Sequence, residues 1–398
     1  MWRPEERAAS IYRYLPVEVA PGQRALRVEL GYDRTAGVLD LGCFDPSGAF
    51  RGWSGGARAE FTVAGDWATP GYLPGPLPEG VWQVALALHR VPPEGLPYQV
   101  TWSSVSPAPP AAGEPAPWPR RRERVLPAPP GCSWLAGDLH AHTVHSDGAL
   151  TVPELARLAA AQGLDFLAVT DHNTVSHHPS LAAEPGILLL PGQELTTARG
   201  HANAFGDIGW VDFREPAAAW LSTVADRGGL LSVNHPLAAD YAWLHPLPGP
   251  PHLAEIWHSG WWDRTWTAPL AWLLAADPAG RTVPVGGSDF HDPAHGHPPG
   301  TPTTWVLCPV GDARDATVPL VLDALRAGRV AVSGTPTGPV LLPVDGELVA
   351  VHAEGALLTG LDGRRQVVRG DLARAPAGPG VRWLEDHRGT VLAIAAPA

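Results

Sequence analysis

Leu26, Val28 and Leu30 alternate with polar residues, and Trp82, Val84, Leu86 and Leu88 repeat the pattern. This is the period of strands with one buried face. Proline and glycine clusters break residues 20–104 at short intervals, so the segment predicts a small antiparallel β-sandwich. Between Pro107 and Pro130 nine prolines and the basic run 120–122 replace the alternation. Such a stretch favours an extended, stiff linker, with the arginines on a solvated face. Beyond it the pattern changes again. Short apolar runs at 135–139, 166–170, 187–190, 201–205, 230–233, 253–257 and 282–285 alternate with helical spacing at 216–227, 267–276 and 319–327. Thr151 is placed to cap a further helix, with Pro153 and Glu154 in its first turn and Gly163 at its end. Strands interleaved with helices predict an α/β fold with a parallel sheet, and seven of them predict a closed (β/α)7 barrel. Residues 336–398 return to β signals, clearest at 340–344 and 391–394, and either pair with the N-terminal sheet or cover the barrel's flank. The expected parts are an N-terminal β-rich domain (1–106), the linker (107–132), the barrel (133–335) and a C-terminal β extension (336–398).

The polar residues that end the apolar runs carry the chemistry. His140 and His142 lie two apart in an expected strand, where residues i and i+2 share a face and can grip one ion. Asp147, the pair Asp171-His172, Glu194, His201, His235, Asp289 and His291 follow, almost all at strand ends. In barrels of this kind the chemistry gathers at the carboxyl ends of the strands. Of the 17 histidines, 14 fall between His140 and His297, too crowded for ordinary surface residues alone. His145, His177, His178, His245, His252, His295 and His297 are read as ordinary. The remainder predict a metal centre.

These motifs resemble the polymerase-and-histidinol-phosphatase (PHP) domain of metal-dependent phosphoesterases. The matching positions are His140-x-His142 with Ser146-Asp147-Gly148, the run Thr170 to Asn173, Gly192-x-Glu194, His201, Asn234-His235-Pro236, and Gly287-Ser288-Asp289 with His291. The resemblance covers roughly residues 133–335 and implies a distorted seven-stranded barrel. The flanking segments 50–56 and 69–75 resemble the CehA/McbA branch, named for a carbaryl hydrolase. The family pattern implies one ion on His140, His142, Glu194 and Asp289, and a second sharing Glu194 with His201 and His235. A third would sit on Asp147, His172 and His291, with Asp171 fixing a ligand or nearby backbone from behind. Two or three divalent ions are therefore expected. Nitrogen and carboxylate donors without thiolate suit Zn, Mn or Fe alike.

Composition narrows the activity. The chain has 398 residues, 45% hydrophobic and 17% charged, which suits two or three packed domains. Its net charge of −12 argues against general nucleic-acid binding. All 28 basic residues are arginine, which removes Schiff-base and phosphate-loop lysine chemistry. Cys43, Cys132 and Cys308 form neither a zinc spacing nor a disulfide framework. No run of 18 apolar residues and no signal-like N-terminus occurs, so a soluble, cytoplasmic protein away from membranes is expected. Water held by such cations drops from a pKa of about 15.7 to about 7, so no serine or cysteine nucleophile is needed, and Ser288 reads as a turn residue. Arg199 is either an anion clamp or a surface arginine. His258, at the end of the sixth strand, is either a proton donor to the leaving group or a rim residue; with Asp289 these complete the candidate catalytic set. Tyr72 and the loop 70–78 are either packing or a wall over the site. Trp243, Trp257, Trp261, Trp262, Trp266 and Trp272 supply core and a stacking surface for an aromatic substrate. Three readings remain: a phosphoesterase, on phosphomonoesters or phosphodiesters such as nucleotides; a carboxylic or carbamic ester hydrolase on the same centre; and an inactive ligand-binding module. The intact ligand set speaks against the last.

Overall fold

A computed structural model describes residues 1–104, 124–181, 186–261, 267–378 and 380–395. The N-terminal alternation builds two antiparallel sheets. One holds Tyr12–Val19, Gly80–Arg90, Val38–Phe44 and Phe50–Trp53 in that order; the other holds Glu60–Ala64, Ala25–Tyr32 and Tyr98–Ser103. Leu26, Val28, Leu39, Leu41, Val84 and Leu86 meet between them as one buried core. The four-stranded sheet is apolar on its outer face as well. There Phe44, Phe50, Trp53, Ala85 and Ala87 pack against Leu195, Ala202, Ala204, Phe213 and Trp220 of the following part. A sheet buried on both faces joins the sandwich to the rest of the chain.

All seven strands expected of the third part are present: Ser133–Asp138, Phe166–Val169, Leu188–Thr197, Gly200–Phe205, Leu230–Val233, Leu253–His258 and Val283–Gly287. They lie side by side in chain order, but not all in parallel. The third and fourth form an antiparallel hairpin, and the fourth is antiparallel to the fifth. The reason lies in the connection. Only Ala198 and Arg199 separate the two hairpin strands, and a parallel crossover needs a dozen or more residues. The expected closed barrel is also modified. Among the described residues the last strand meets the first beyond their ends, through the bridge Ala141–Phe290. The ladder itself continues from Ser133–Asp138 to Thr303–Cys308 and Val330–Ser333, two strands the apolar pattern did not single out.

The helices fall where their spacing placed them, at Val152–Ala161, Ala217–Asp226, Ala268–Ala276 and Val318–Arg326. Thr151 and Glu154 form the expected reciprocal cap of the first. The C-terminal strands Val391–Ala395, Arg382–Glu385, Leu357–Gly360 and Arg365–Val367 prolong the central sheet rather than pairing with the sandwich. Val340–Val344, Glu347–Val351 and Leu372–Pro376 make a separate three-stranded sheet. Most of the proline-rich segment lies outside the described residues. Its end does not behave as a free linker: Leu126, Ala128 and Cys132 pack on the core, and Arg124 donates to Gly338 O (2.8 Å). No helix among the described residues is long and apolar enough to cross a membrane.

Candidate metal centre

The first strand ends at Asp138, a fully buried carboxylate that gathers backbone. It accepts the amides of His140 (3.1 Å), Ser288 (2.9 Å) and Gly300 (2.7 Å), tying the first strand end to the last. His140 then points inward. Its Nδ1 lies 3.0 Å from Glu255 Oε1, which turns Nε2 toward Glu194 Oε1 (3.2 Å) and Asp289 Oδ1 (3.1 Å). That Nε2 is buried and makes no hydrogen bond. A buried ring nitrogen with its partner side fixed by a carboxylate is the arrangement of a metal-ligating histidine.

Glu194, fully buried, is the hub. Oε1 lies 3.2 Å from His201 Nδ1 and 3.5 Å from His235 Nε2, and accepts a hydrogen bond from Asn234 Nδ2 (2.8 Å). Oε2 lies 2.6 Å from His172 Nδ1 and 3.6 Å from His142 Nε2. Asp289 Oδ1 stands 3.0 Å from His142 Nε2, and Asp147 Oδ1 stands 3.3 Å from His291 and 3.5 Å from His172. All nine residues expected as ligands therefore converge. Their donor atoms form four overlapping groups within 4.8 Å: His140–His142–Asp289, His140–Glu194–His235, His172–Glu194–His201, and His142–Asp147–His172–His291. The grouping differs from the expected one in several residues: His235 groups with His140 and Glu194 rather than with His201, and Glu194 lies outside the His140–His142–Asp289 group. His172 also belongs with Glu194 and His201, and His142 also belongs with Asp147 and His291. His235 (φ 27°) and Asp289 (φ 52°) hold left-handed backbone, a cost of about 1–3 kcal/mol each that is found at functional sites.

Electrostatics agree with a cation-binding pocket. Burial alone would raise the Glu194 carboxyl, but the charges of His140, His172 and His201 outweigh it and hold it well below the usual range. Asp289 is held low in the same way by His140, His142 and His258. Burial, with the neighbouring His291 and His172, lowers His142 to about 4, so its ring stays neutral with a lone pair to give. Against the pull of burial, the carboxylates they face raise His140, His172, His235 and His291, and carboxylates held ionised among imidazoles, without thiolate, fit divalent cations.

The other candidates divide. His258 joins the cluster: its Nδ1 accepts the Gly260 amide (2.8 Å), so the proton sits on Nε2, 3.2 Å from Asp289 Oδ2. Asp171 is buried behind the ligands, accepting Thr143 N (2.9 Å), Thr143 Oγ1 (2.7 Å) and Ser146 Oγ (2.6 Å). Arg199 does not join. It is exposed at the hairpin tip, donating to Leu244 O (2.9 Å). Tyr72 is not a wall over the site: it is buried in the sandwich, stacked on Phe61, with its hydroxyl on Leu41 O (2.9 Å). Trp257 is core, Trp261 edges a recess beside His258, and Trp262 and Trp266 lie outside the described residues. Sequence reasoning gave Asp138, Asn234 and Glu255 no role. For Glu255 a signal existed, an acid in the apolar strand Leu253–His258, where burial demands a partner.

Residues 138–234 match the family model of the PHP domain. The chain carries a PHP domain. Its cluster reaches past the matched stretch, to His235, Asp289 and His291. Over 63 residues the chain is 44% identical to a 5'-3' exoribonuclease of Haemophilus influenzae, 15% of this chain and 23% of that protein. Over 86 residues it is 40% identical to a 3',5'-nucleoside bisphosphate phosphatase of Chromobacterium violaceum, 21% of this chain and 30% of that protein. The matches thus span less than a third of either relative. Among solved structures, a two-domain protein containing predicted PHP-like metal-dependent phosphoesterase from Bacteroides vulgatus aligns with a TM-score of 0.42 and 18% identity. That alignment covers 70% of this chain and 91% of the other.

Proposed function

We propose that the protein is a hydrolase of phosphoric esters that works with two or three divalent ions, Zn, Mn or Fe, and acts on a small-molecule ester. The observation that carries this reading is the hub at Glu194, where one buried carboxylate touches five imidazoles and the four donor groups overlap. His140, His142, Glu194 and Asp289 would hold one ion, and Glu194, His201 and His235 a second. Asp147, His172 and His291, with His142 alongside, would hold a third. Such ions lower the pKa of water to about 7 and take up charge on both the attacking and leaving oxygens of a phosphoryl group. The protein's own residues do the rest. Glu255 fixes the His140 ring and the His235 backbone amide. His258 presents the Nε2 proton at the rim and is the donor to the leaving group. The small recess beside it, about 90 Å³, is lined by Leu237, Ile256, Trp261 and Pro269 and receives the leaving group. Two relatives support this reading, one a 5'-3' exoribonuclease and the other a 3',5'-nucleoside bisphosphate phosphatase.

A second reading, a carboxylic or carbamic ester hydrolase on the same centre, is favoured by the rim. Leu237, Tyr241 and Leu244 are exposed on the loop after His235, the recess is mainly apolar, and Arg199 turns away. The CehA/McbA-like segments 50–56 and 69–75 belong with this reading.

The two are separated by stripping metal, reloading Mn or Zn, and comparing nitrophenyl phosphate mono- and diesters with naphthyl acetate and naphthyl carbamate. We expect the phosphate esters to turn over only with metal, and Asp289→Ala to remove the activity. Turnover of the carboxyl esters alone, lost in Asp289→Ala, would replace the first reading with the second. Turnover of the diester without the monoester would point to nucleotides or nucleic-acid fragments.

A further inference from the structure

The segments 50–56 and 69–75 lie against each other. Gly52 bridges Tyr72, Trp53 N donates to Gly71 O (3.0 Å), and Leu73 N donates to Arg51 O (2.8 Å). With the Tyr72 side chain sunk in the sandwich, the backbone of Gly71 is left facing the PHP part. Two side chains of one turn take hold of it: Gly71 N donates to Ser176 Oγ (3.0 Å), and Thr174 Oγ1 donates to Gly71 O (2.8 Å). No side chain fits at this position. Gly71 has φ +100°, and a Cβ would stand 2.8 Å from Trp53 O and 2.9 Å from His145 O. Ser176 Oγ, having accepted from Gly71, is left to donate its own proton to His145 Nδ1 (2.7 Å). Arg58 of the sandwich adds a hydrogen bond to Val144 O.

These contacts fall on two turns, and both spring from candidate ligands. Residues 143–146 run from His142 to Asp147, and residues 173–176 follow His172. From the inside, Asp171 grips the first turn through Thr143 and Ser146. From the outside, the sandwich grips both. The ion group they serve is the least enclosed of the four: His142 is buried, but Asp147, His172 and His291 are only partly so or exposed. Its geometry therefore depends on turns, which do not hold position as strands do.

We propose that Ser176 is a positioning residue through which the N-terminal sandwich sets the affinity of the outermost ion, the one on His142, Asp147, His172 and His291. The proposal rests on the ligand assignment above but not on the class of ester. It gives the two flanking segments a role: they build the surface that presents Gly71.

The test uses the full chain, stripped with a chelator and titrated with Co²⁺, read by its visible absorption and by ion count. In Ser176→Ala the last-filled step weakens by about 10-fold, the low end of the cost of losing an outer partner of a metal ligand, because Ser176 acts through the two turns and not on a ligand directly. Its absorption band changes, earlier steps stay as in the wild type, and Ser176→Thr restores both. Unchanged binding, or an equal weakening of every step, overturns the proposal. Should Ser176→Ala fail to fold by circular dichroism, Thr174→Val decides, since it removes the bond to Gly71 O at nearly constant shape. The same selective loss supports the proposal, and wild-type binding overturns it. A wild type that takes up no ion overturns the ligand assignment, and this proposal with it.

Discussion

Glu255 decides where two candidate ligands point. One of its oxygens faces His140 Nδ1 and the other accepts the His235 amide (2.9 Å), while the side chain is almost wholly buried. In Glu255→Gln one of these contacts becomes a donor facing a donor. Metal affinity is expected to fall by about 10- to 100-fold with the fold intact, read by competition with a chromophoric chelator; unchanged affinity would remove Glu255 from the centre. Asp40 offers a pH test on the sandwich side. It pairs with Ala87, on the face that packs against the PHP part, and burial raises its carboxyl to about 7, with His172 opposing. A raised acid binds more protons folded than unfolded between about 4 and 7, so its contribution to stability falls as pH rises through that window and is flat above it. Asp40→Asn should therefore leave the metal-free protein unchanged near pH 4 and increasingly more stable toward pH 7, by urea unfolding. A gain independent of pH would contradict this. The convergence of the candidate ligands was legible because histidines and acids follow one another at successive strand ends. Asp138 and Glu255 were not, because a single acid inside an apolar run reveals its partners only when the strands are assembled.

At the level of elements, the strand positions followed from apolar period, and their directions did not. The two-residue connection at Ala198 and Arg199, with Gly200 at φ +114°, already forbids a crossover between the third and fourth strands. Reading that connection instead of the interleaving would have given the hairpin. It also explains Arg199, which a hairpin tip carries outward. Of the two readings of Tyr72, packing holds, because Gly71 allows the chain to reverse so that the ring enters the sandwich. The helix cap, a local signal, was fully legible. Thr151 Oγ1 accepts from the Glu154 amide (3.4 Å), and Glu154 reaches back to the Thr151 amide (2.8 Å). Thr151→Ala should cost about 1 kcal/mol, seen as a lower urea midpoint at unchanged slope. A shift of slope would mean that the helix does more than cap locally.

Across the whole molecule, the β segments that flank the PHP domain take opposite roles. The C-terminal strands prolong the central sheet, and the N-terminal sandwich buries its outer face on the hairpin and the helix Ala217–Asp226. Neither attachment could be read from one strand at a time, because each depends on which apolar faces remain uncovered once the sheet has formed. What the assembly produces is a single buried carboxylate at the meeting point of histidines from three strand ends and the hairpin. The measurement that tests this most directly is the ion content of purified protein by mass spectrometry, wild type beside Glu194→Gln and His291→Ala. The account predicts two or three ions per wild-type chain, loss of more than one ion in Glu194→Gln, and retention of the inner ions in His291→Ala. Full occupancy in both variants, or no metal in the wild type after growth and reloading with Mn or Zn, would contradict it.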